Sequence, residues 1–253
     1  MKKIAVALSK GGVGKTTTAV NLAAGLALAQ KTVLIVDVDA QGQVGRSLGL
    51  SPNVGLAEVV NGEVSLDTAC QPARNNLWLL AGGHSMVGLK RLITRQDFGG
   101  ERTLAEALQA ADGRFEYVIV DTSPGWDAVT INILFYVEEV LSPVSLEVMT
   151  MQGLMDFSRS ISSIQKYRPT LTLKYVLPTF YDRRVRKSEE IMKQLQAHFR
   201  ERICNPVRYN VRLSEAPGYG QTIFEYAPSS PGAADYKTLT ERILADEQPQ
   251  TNT

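Results

Sequence analysis

The chain has 253 residues, of which 44% are hydrophobic and 21% are charged, and its formal net charge is +1. This composition is ordinary for a globular protein, and a charge near zero restricts any nucleic-acid contact to a local basic patch. No stretch reaches the roughly 18 apolar residues of a membrane span, so no membrane partner is expected. Cys70 and Cys204 lie far apart and indicate neither a zinc site nor a disulfide framework, which favours a reducing compartment.

Short apolar runs alternate with longer helical patterns along the chain. The apolar runs predict strands at residues 4–8, 33–36, 118–120, 140–143 and 173–177. The helical patterns cover residues 16–29, 103–110, 129–136, 153–167, 188–199 and 233–244. Continuous runs of Val, Ile and Leu are typical of strands buried on both faces of a parallel sheet. The alternation therefore predicts an α/β fold, a doubly wound and mostly parallel sheet with helices on both faces.

The most informative segment follows the first predicted strand and consists of Lys10, Gly11, Gly12, Val13, Gly14, Lys15, Thr16 and Thr17. A strand, a glycine-rich loop and a helix form the context of a phosphate-binding loop (P-loop), in which backbone N–H groups point at a phosphate. Lys15 is expected to reach the β- and γ-phosphates, and the Thr16 hydroxyl is expected to ligate Mg²⁺. The alternative is a glycine-rich turn with two solvated lysines. The strand–loop–helix context favours a nucleotide-binding protein.

Carboxylates follow two of the predicted strands, and ligands of such sheets bind at the carboxyl ends of the strands. Asp37 and Asp39 follow the second strand, and Asp121 follows the third. In a P-loop enzyme such a carboxylate holds the Mg²⁺ shell or positions water, so Asp121 is the Walker B candidate. If the second strand continues through Asp39, Asp37 and Asp39 share one face and approach the same phosphate site. The alternative is that these residues only cap turns.

Three segments in combination resemble the ParA/Soj ATPases, a group with a deviant Walker A loop that partitions DNA or other cargo. The segments are the lysine-bearing loop, the D-x-D-x-Q-G stretch at 37–42 and the stretch N-V-R-L-S-E-A-P at 210–217. The family does not require glycine where Ser9 stands. The resemblance covers residues 4–244 and implies a P-loop NTPase fold with a single ATPase domain over residues 1–245. It corresponds to the short form without an N-terminal DNA-binding domain, and the polar stretch at 246–253 is expected to be a disordered tail.

The resemblance also implies roles for individual residues. Lys10 matches the signature lysine, which reaches across an ATP-sandwich dimer and supplies positive charge to the partner's phosphates. Asp39 matches the carboxylate that positions water, and Thr16 and Asp121 match the residues that hold Mg²⁺. Catalysis is thereby assigned to Lys10, Lys15 and Asp39. The residues that match ATP contacts are Lys10, Gly11, Gly12, Val13, Gly14, Lys15, Thr16, Thr17 and Asp39, with Pro206 and Arg208 near the loop that contacts adenine.

The chain departs from the family pattern in three places. It has Ala40 and Gln43 where the family usually has Pro and Asn, and Ser123 where the family usually has Pro. It also has Arg208 and Tyr209 where Pro and Arg often stand. None of these changes removes a charged catalytic group, so the chemistry is expected to survive. The first two changes lie in switch-like segments and leave the subfamily open.

A second functional signal comes from Arg183, Arg184, Arg186 and Lys187, which stand just before a predicted helix. Positive charge is unfavourable at the start of a helix because of the helix dipole, and a polyanion would offset that cost. The resemblance implies that Arg184 and Arg212 contact DNA without sequence preference, through phosphate contacts that weaken with salt. We therefore predict that Arg184, Arg186, Lys187 and Arg212 bind double-stranded DNA. The alternative is a solvated charged face.

These predictions combine into an ATP-dependent switch. ATP binding drives homodimerisation and non-specific DNA binding, and slow hydrolysis reverses both. The cargo is a plasmid, a chromosomal locus or a protein assembly such as a bacterial microcompartment, and a ParB-like adaptor protein recruits it. The expected location is the cytoplasm of a prokaryote, in association with the nucleoid.

Three other functions fit the same loop. A MinD-like positioning ATPase acts at a membrane surface and needs a basic amphipathic C-terminal helix, which residues 241–249 do not predict. An iron–sulfur carrier ATPase needs grouped cysteines, and Cys70 and Cys204 are distant from the nucleotide motifs. A metabolic enzyme on the same fold needs a pocket for a small-molecule substrate, which no motif marks.

Overall fold

A computed structural model describes residues 1–95 and 99–247 of the chain. Within these residues seven strands form one sheet in the order β3-β4-β2-β5-β1-β6-β7. All neighbouring strands pair in parallel except β3 and β4, which are antiparallel. The strands are β1 (Lys2–Val6), β2 (Val33–Asp37), β3 (Gln71–Arg74), β4 (Leu77–Leu80), β5 (Tyr117–Asp121), β6 (Glu139–Ser145) and β7 (Thr172–Thr179).

Helices connect the strands and cover both faces of the sheet. Residues 216–219, among others, form short 3₁₀ turns between them. The α-helices of the described residues are α1 (Lys15–Leu28), α2 (Gln43–Ser47), α3 (Leu56–Val60), α4 (Leu66–Ala69), α5 (Met86–Thr94), α6 (Thr103–Ala107), α7 (Ala128–Tyr136), α8 (Val148–Gln165), α9 (Arg186–Phe199), α10 (Val211–Glu215), α11 (Ile223–Tyr226) and α12 (Pro231–Ala245).

Successive residues of the central strands enter opposite hydrophobic layers. Val33 and Ile35 pack in the layer that contains the buried faces of α1 and α12. Leu34 and Val36 pack in the other layer, with α5, α7 and α8. Side chains alternate across a strand, so a strand between two helical layers is apolar at every position. The predicted doubly wound α/β fold is therefore confirmed.

The five predicted strands are all present, but the hairpin of β3 and β4 was not predicted from the sequence. β4 is only four residues long, and such a short apolar run carries no periodic signal of its own. A positive φ of 61° at Asn76 closes the turn between the two strands. The predicted helix at 103–110 is shorter, since α6 ends at Ala107 and a 3₁₀ turn follows. Of the predicted tail, residues 248–253 lie outside the described residues.

The parallel register aligns the strand ends that carry the candidate site. Asp121 at the end of β5 pairs with Val6 at the end of β1 and with Asp37 at the end of β2. The glycine-rich loop leaves β1 at this same edge. Because three neighbouring strands end together, their following residues converge on one region of the molecule.

Candidate functional site

A cavity of about 990 Å³ opens at the carboxyl edge of the sheet. Its lining comes from the glycine-rich loop, the turns after β2 and β5, helix α5, the end of β7 and the loop before α10. The lining includes Gly11, Lys15 and Thr16 of the loop and also Arg208 and Tyr209 from far along the chain. The sheet edge therefore brings most of the predicted nucleotide residues around one cavity.

The glycine-rich loop has the backbone of a phosphate cradle. Gly12 and Gly14 have φ angles of 72° and 87°, which an L residue rarely adopts, and α1 begins directly after Gly14. Val13, between the two glycines, is buried, and its carbonyl accepts a hydrogen bond of 3.0 Å from the Thr179 hydroxyl. This bond occupies the Val13 carbonyl. The first N–H groups of α1, like those at the start of any helix, have no acceptor within the helix and can meet an anion.

Lys15 lies folded against its own loop. It is 7% exposed, and its Nζ donates to the Lys10 carbonyl at 2.8 Å. Burial lowers the pKa of Lys15, while the charges of Asp121 and Asp39 oppose that shift. In this position the Lys15 ammonium group lies beside the glycine-rich loop, where it can donate a hydrogen bond to a phosphate that the loop binds.

Thr16 and Asp121 form the candidate metal site. The Thr16 hydroxyl donates to Asp121 Oδ2 at 2.7 Å, and Asp121 is fully buried. Its other oxygen, Oδ1, is also buried and has no hydrogen-bond partner among the described residues. Burial, and next the nearby Asp37, raise the pKa of Asp121 well above its usual range. A buried carboxylate with a free oxygen beside a hydroxyl fits the oxygen-rich shell of Mg²⁺, whose charge would offset the cost of burying the anion.

Asp37 does not line the cavity, and the condition for its predicted pairing with Asp39, a strand that continues through Asp39, is not met. Strand β2 ends at Asp37, so the two carboxylates do not share a strand face. The Asp37 oxygens accept backbone N–H groups from Asp39 at 2.9 Å and from Val44 at 3.1 Å. Asp37 is therefore the turn-capping residue of the alternative interpretation, and it holds the turn that carries Asp39. Asp39 is partly exposed, accepts the N–H of Gln41 at 2.9 Å and lines the cavity.

Lys10 points out of the cavity that its own loop forms. Its Nζ donates to the Thr150 hydroxyl at 2.7 Å and to Glu147 Oε2 at 3.1 Å, at the junction of β6 and α8. Its side chain is 35% exposed. Lys10 and Lys15 thus lie in one loop with their ammonium groups in different surroundings.

The predicted adenine side of the cavity is only partly as expected. Val207, Arg208 and Tyr209 line the cavity, whereas Pro206 is not among the lining residues. The Arg208 guanidinium is held by Asp235, with an Nη2–Oδ1 distance of 2.6 Å. Sequence reasoning missed Phe180, which lines the cavity with a positive φ of 54°. No sequence pattern signals such a backbone angle at a phenylalanine.

The two predicted DNA-binding segments lie next to each other. A parallel bridge joins Tyr181 to Arg208, and the Tyr209 N–H donates to the Tyr181 carbonyl at 3.0 Å. Arg184 follows one side of this bridge and Arg212 follows the other. The fold thereby brings together two basic segments that are separated by more than twenty residues in the sequence.

A family model described as an AAA domain matches residues 1–173. The chromosome-partitioning ATPase Soj of Thermus thermophilus is 37% identical over 250 residues, covering 98% of this chain and 97% of its own. The chromosome partitioning protein ParA of Caulobacter vibrioides is 31% identical over 256 residues, covering 98% and 96%. A crystal structure of cobyrinic acid a,c-diamide synthase from Mycobacterium smegmatis with ADP and magnesium is 29% identical, with a TM-score of 0.83 and coverage of 96% and 94%.

The fold and the site define a P-loop ATPase that uses ATP and Mg²⁺. More closely, the chain belongs to the ParA/Soj family of partitioning ATPases. Within residues 1–95 and 99–247, no helix is both long and apolar enough to span a membrane.

Proposed function

We propose that the protein is an ATP-dependent dimerisation switch that binds DNA without sequence preference and partitions or positions a cargo. The observation that carries this proposal is the position of Lys10. Its ammonium group lies outside the cavity of its own subunit and is partly exposed, at the rim of the phosphate loop. A lysine so placed is available to a phosphate bound in a second subunit.

Within one subunit the remaining residues divide the work of hydrolysis. Lys15 and the backbone N–H groups of the P-loop bind the phosphates. Thr16 and Asp121 would hold Mg²⁺, and the bound ion would offset the charge that develops on the phosphates. Asp39 lines the cavity, is partly exposed and orients the attacking water. Lys10 of the partner subunit would complete the site, so hydrolysis requires the dimer.

Substitution of the two lysines separates their roles. Lys15→Ala removes the principal phosphate charge and should abolish nucleotide binding. Lys10→Ala should still bind ATP, because its ammonium group lies outside the cavity, but it should remain monomeric and lose turnover. Light scattering with ATP and Mg²⁺, together with an ATPase assay, decides the matter. A Lys10→Ala protein that dimerises and turns over normally would contradict the role in trans.

Asp39→Ala tests the assignment of the water. This variant should bind ATP and dimerise but lose turnover, because Asp39 is assigned to water and not to phosphate or metal. Asp39→Asn is the matched variant that keeps the acceptor for the Gln41 N–H. If either variant fails to bind ATP, Asp39 has a structural or metal-holding role instead of positioning water.

DNA binding is assigned to the basic segments around Arg184 and Arg212, which adjoin each other through the Tyr181–Arg208 bridge. A dimer presents two copies of this surface, so its phosphate contacts double and affinity rises by avidity. Binding should require ATP, ignore sequence and weaken steeply with salt. Arg184→Glu or Arg212→Glu should abolish it and leave dimerisation intact, which mobility shifts with ATP and with ADP would measure. Equal binding in both nucleotide states would contradict the switch.

The cargo and its adaptor complete the proposal. We assign the protein to the cytoplasm, in association with the nucleoid, where a ParB-like adaptor protein links the DNA-bound dimer to a plasmid, a chromosomal locus or a protein assembly. Affinity capture on the ATP-locked Asp39→Ala dimer is the direct way to identify the adaptor. A protein that the Lys10→Ala monomer captures equally well does not distinguish the dimer from the monomer, so it would not be the predicted adaptor.

A further inference from the structure

The arginines assigned to DNA are not free cations in this structure. Arg184 forms a bidentate pair with Asp182, with distances of 3.0 Å from Nε to Oδ1 and 2.8 Å from Nη2 to Oδ2. Arg212 pairs with Glu215 through Nη1 and Oε2 at 2.9 Å. Both guanidinium groups are nevertheless exposed to solvent, since the two side chains are 87% and 58% exposed. These two arginines are accessible to a polyanion, but a neighbouring carboxylate offsets the charge of each.

Neighbouring groups hold both carboxylates in place. Asp182 Oδ1 also accepts the backbone N–H of Arg184 at 2.9 Å, which closes a tight turn around the pair. Glu215 Oε2 also accepts the hydroxyl of Tyr226 at 3.0 Å, and Tyr226 stacks on Tyr219 with ring centroids 5.1 Å apart. An acceptor that is already oriented loses less side-chain entropy in the ion pair than a freely rotating one. The two pairs are therefore part of the local fold.

These contacts have a consequence for binding. A phosphate that approaches Arg184 or Arg212 must compete with a carboxylate that is fixed beside the guanidinium, and the displaced carboxylate stays close and repels it. We propose that Asp182 and Glu215 restrain the DNA-binding surface, so that one subunit alone binds duplex DNA too weakly and only the paired surfaces of a dimer hold it. This inference rests on the proposed DNA-binding function and assigns the regulation of the same surface.

The restraint has a measurable size. An exposed ion pair changes an equilibrium constant by at most a factor of about five, so releasing one pair in each of the two subunits of a dimer should strengthen DNA binding by up to about 25-fold. Salt dependence should change as well, because an arginine relieved of its carboxylate neutralises its bound phosphate more completely, and each phosphate fully neutralised adds about 0.9 to the slope of log K against log salt. Release of one pair in each subunit should therefore steepen the slope by up to about two.

The variants follow from the contacts. Asp182→Asn removes the charge but keeps the oxygen that accepts the Arg184 N–H, and Glu215→Gln keeps an acceptor for the Tyr226 hydroxyl. Asp156→Asn is the matched control, because it removes the same charge from an exposed pair with Arg159 within α8, which includes none of the arginines assigned to DNA. Fluorescence anisotropy on a labelled duplex of arbitrary sequence, between about 50 and 200 mM salt, gives both affinity and slope. Light scattering and thermal melting check dimerisation and folding in each variant.

We expect Asp182→Asn and Glu215→Gln to bind more tightly than wild type with a non-hydrolysable ATP analogue and to show a steeper slope. The double variant should also bind with ADP. If the wild type binds DNA, but Asp182→Asn and Glu215→Gln bind no more tightly than Asp156→Asn, the restraint is overturned. Weaker binding by Asp182→Asn and Glu215→Gln than by the wild type would overturn it too. In both cases the DNA-binding function stands. Absence of binding by the wild type and by every variant, with intact dimerisation, would overturn the DNA-binding function itself and the restraint with it.

Discussion

Thr179 is predicted to support nucleotide binding although it stands at the end of β7, far from the P-loop in sequence. It is 3% exposed, and its hydroxyl donates to the Val13 carbonyl between Gly12 and Gly14. Thr179→Val keeps the shape of the side chain but leaves this carbonyl without its donor. An unsatisfied buried acceptor costs about 1–3 kcal/mol, and the loop relieves that cost by turning the carbonyl toward solvent or Lys15.

When the Val13 carbonyl has turned, the loop no longer directs its N–H groups at a phosphate. ATP binding must then include the free energy of returning the loop to its wild-type conformation. The dissociation constant for ATP should therefore rise between about fivefold and a hundredfold, since about 1.4 kcal/mol corresponds to a factor of ten. Turnover at saturating ATP should change little, because the bound nucleotide reforms the loop. Thr179→Ser should recover most of the affinity.

The assay is calorimetric titration with a non-hydrolysable ATP analogue and Mg²⁺, alongside urea unfolding. Thr240→Val is the control, since it makes the same change at a buried hydroxyl that bonds the Tyr236 carbonyl within α12, at 2.9 Å. Both variants are expected to lose some stability, but only Thr179→Val should lose affinity. Wild-type affinity in Thr179→Val, or an equal loss in the control, would refute the reasoning.

Three further predictions concern stability. Burial raises the pKa of Asp37 to about 6 from 3.8. Its contribution to the free energy of unfolding is therefore complete below pH 3.8 and falls by about 3 kcal/mol as the pH rises through 6. A carboxyl NMR titration of Asp37 with a midpoint below about 4.5 would contradict this. Tyr136→Phe should leave the free energy of unfolding unchanged or raise it by up to about 1 kcal/mol in urea titrations, because the buried hydroxyl has no partner among the described residues. Arg74→Met removes hydrogen bonds to Glu225 and to the carbonyls of Leu48 and Gly220. Calorimetry should therefore show a Tm lower by about 3–8 °C. An unchanged Tm would mean that these hydrogen bonds contribute nothing net to stability.

The local elements and the phosphate site were predictable from sequence because their causes are local. Glycines at 12 and 14 permit the backbone of the P-loop within a few residues, and apolar runs mark strands that are buried on both faces. The placement of Asp121 beside Thr16 also followed, because parallel strands end at one edge of the sheet. The short strand β4 did not follow, since its pairing with β2 is decided by tertiary packing and not by its own four residues.

By itself, the sequence determined the fold class, the phosphate loop and the residue types available to the site. Only the tertiary structure decided how those residues are used. Asp37 and Asp39 look alike in sequence, yet backbone N–H groups that converge on Asp37 make it a buried turn cap. Lys10 meets Glu147 across 137 residues, and no local pattern encodes that contact. Such roles depend on which groups the packed strands and helices bring within hydrogen-bond distance, and that distance is a property of the folded chain.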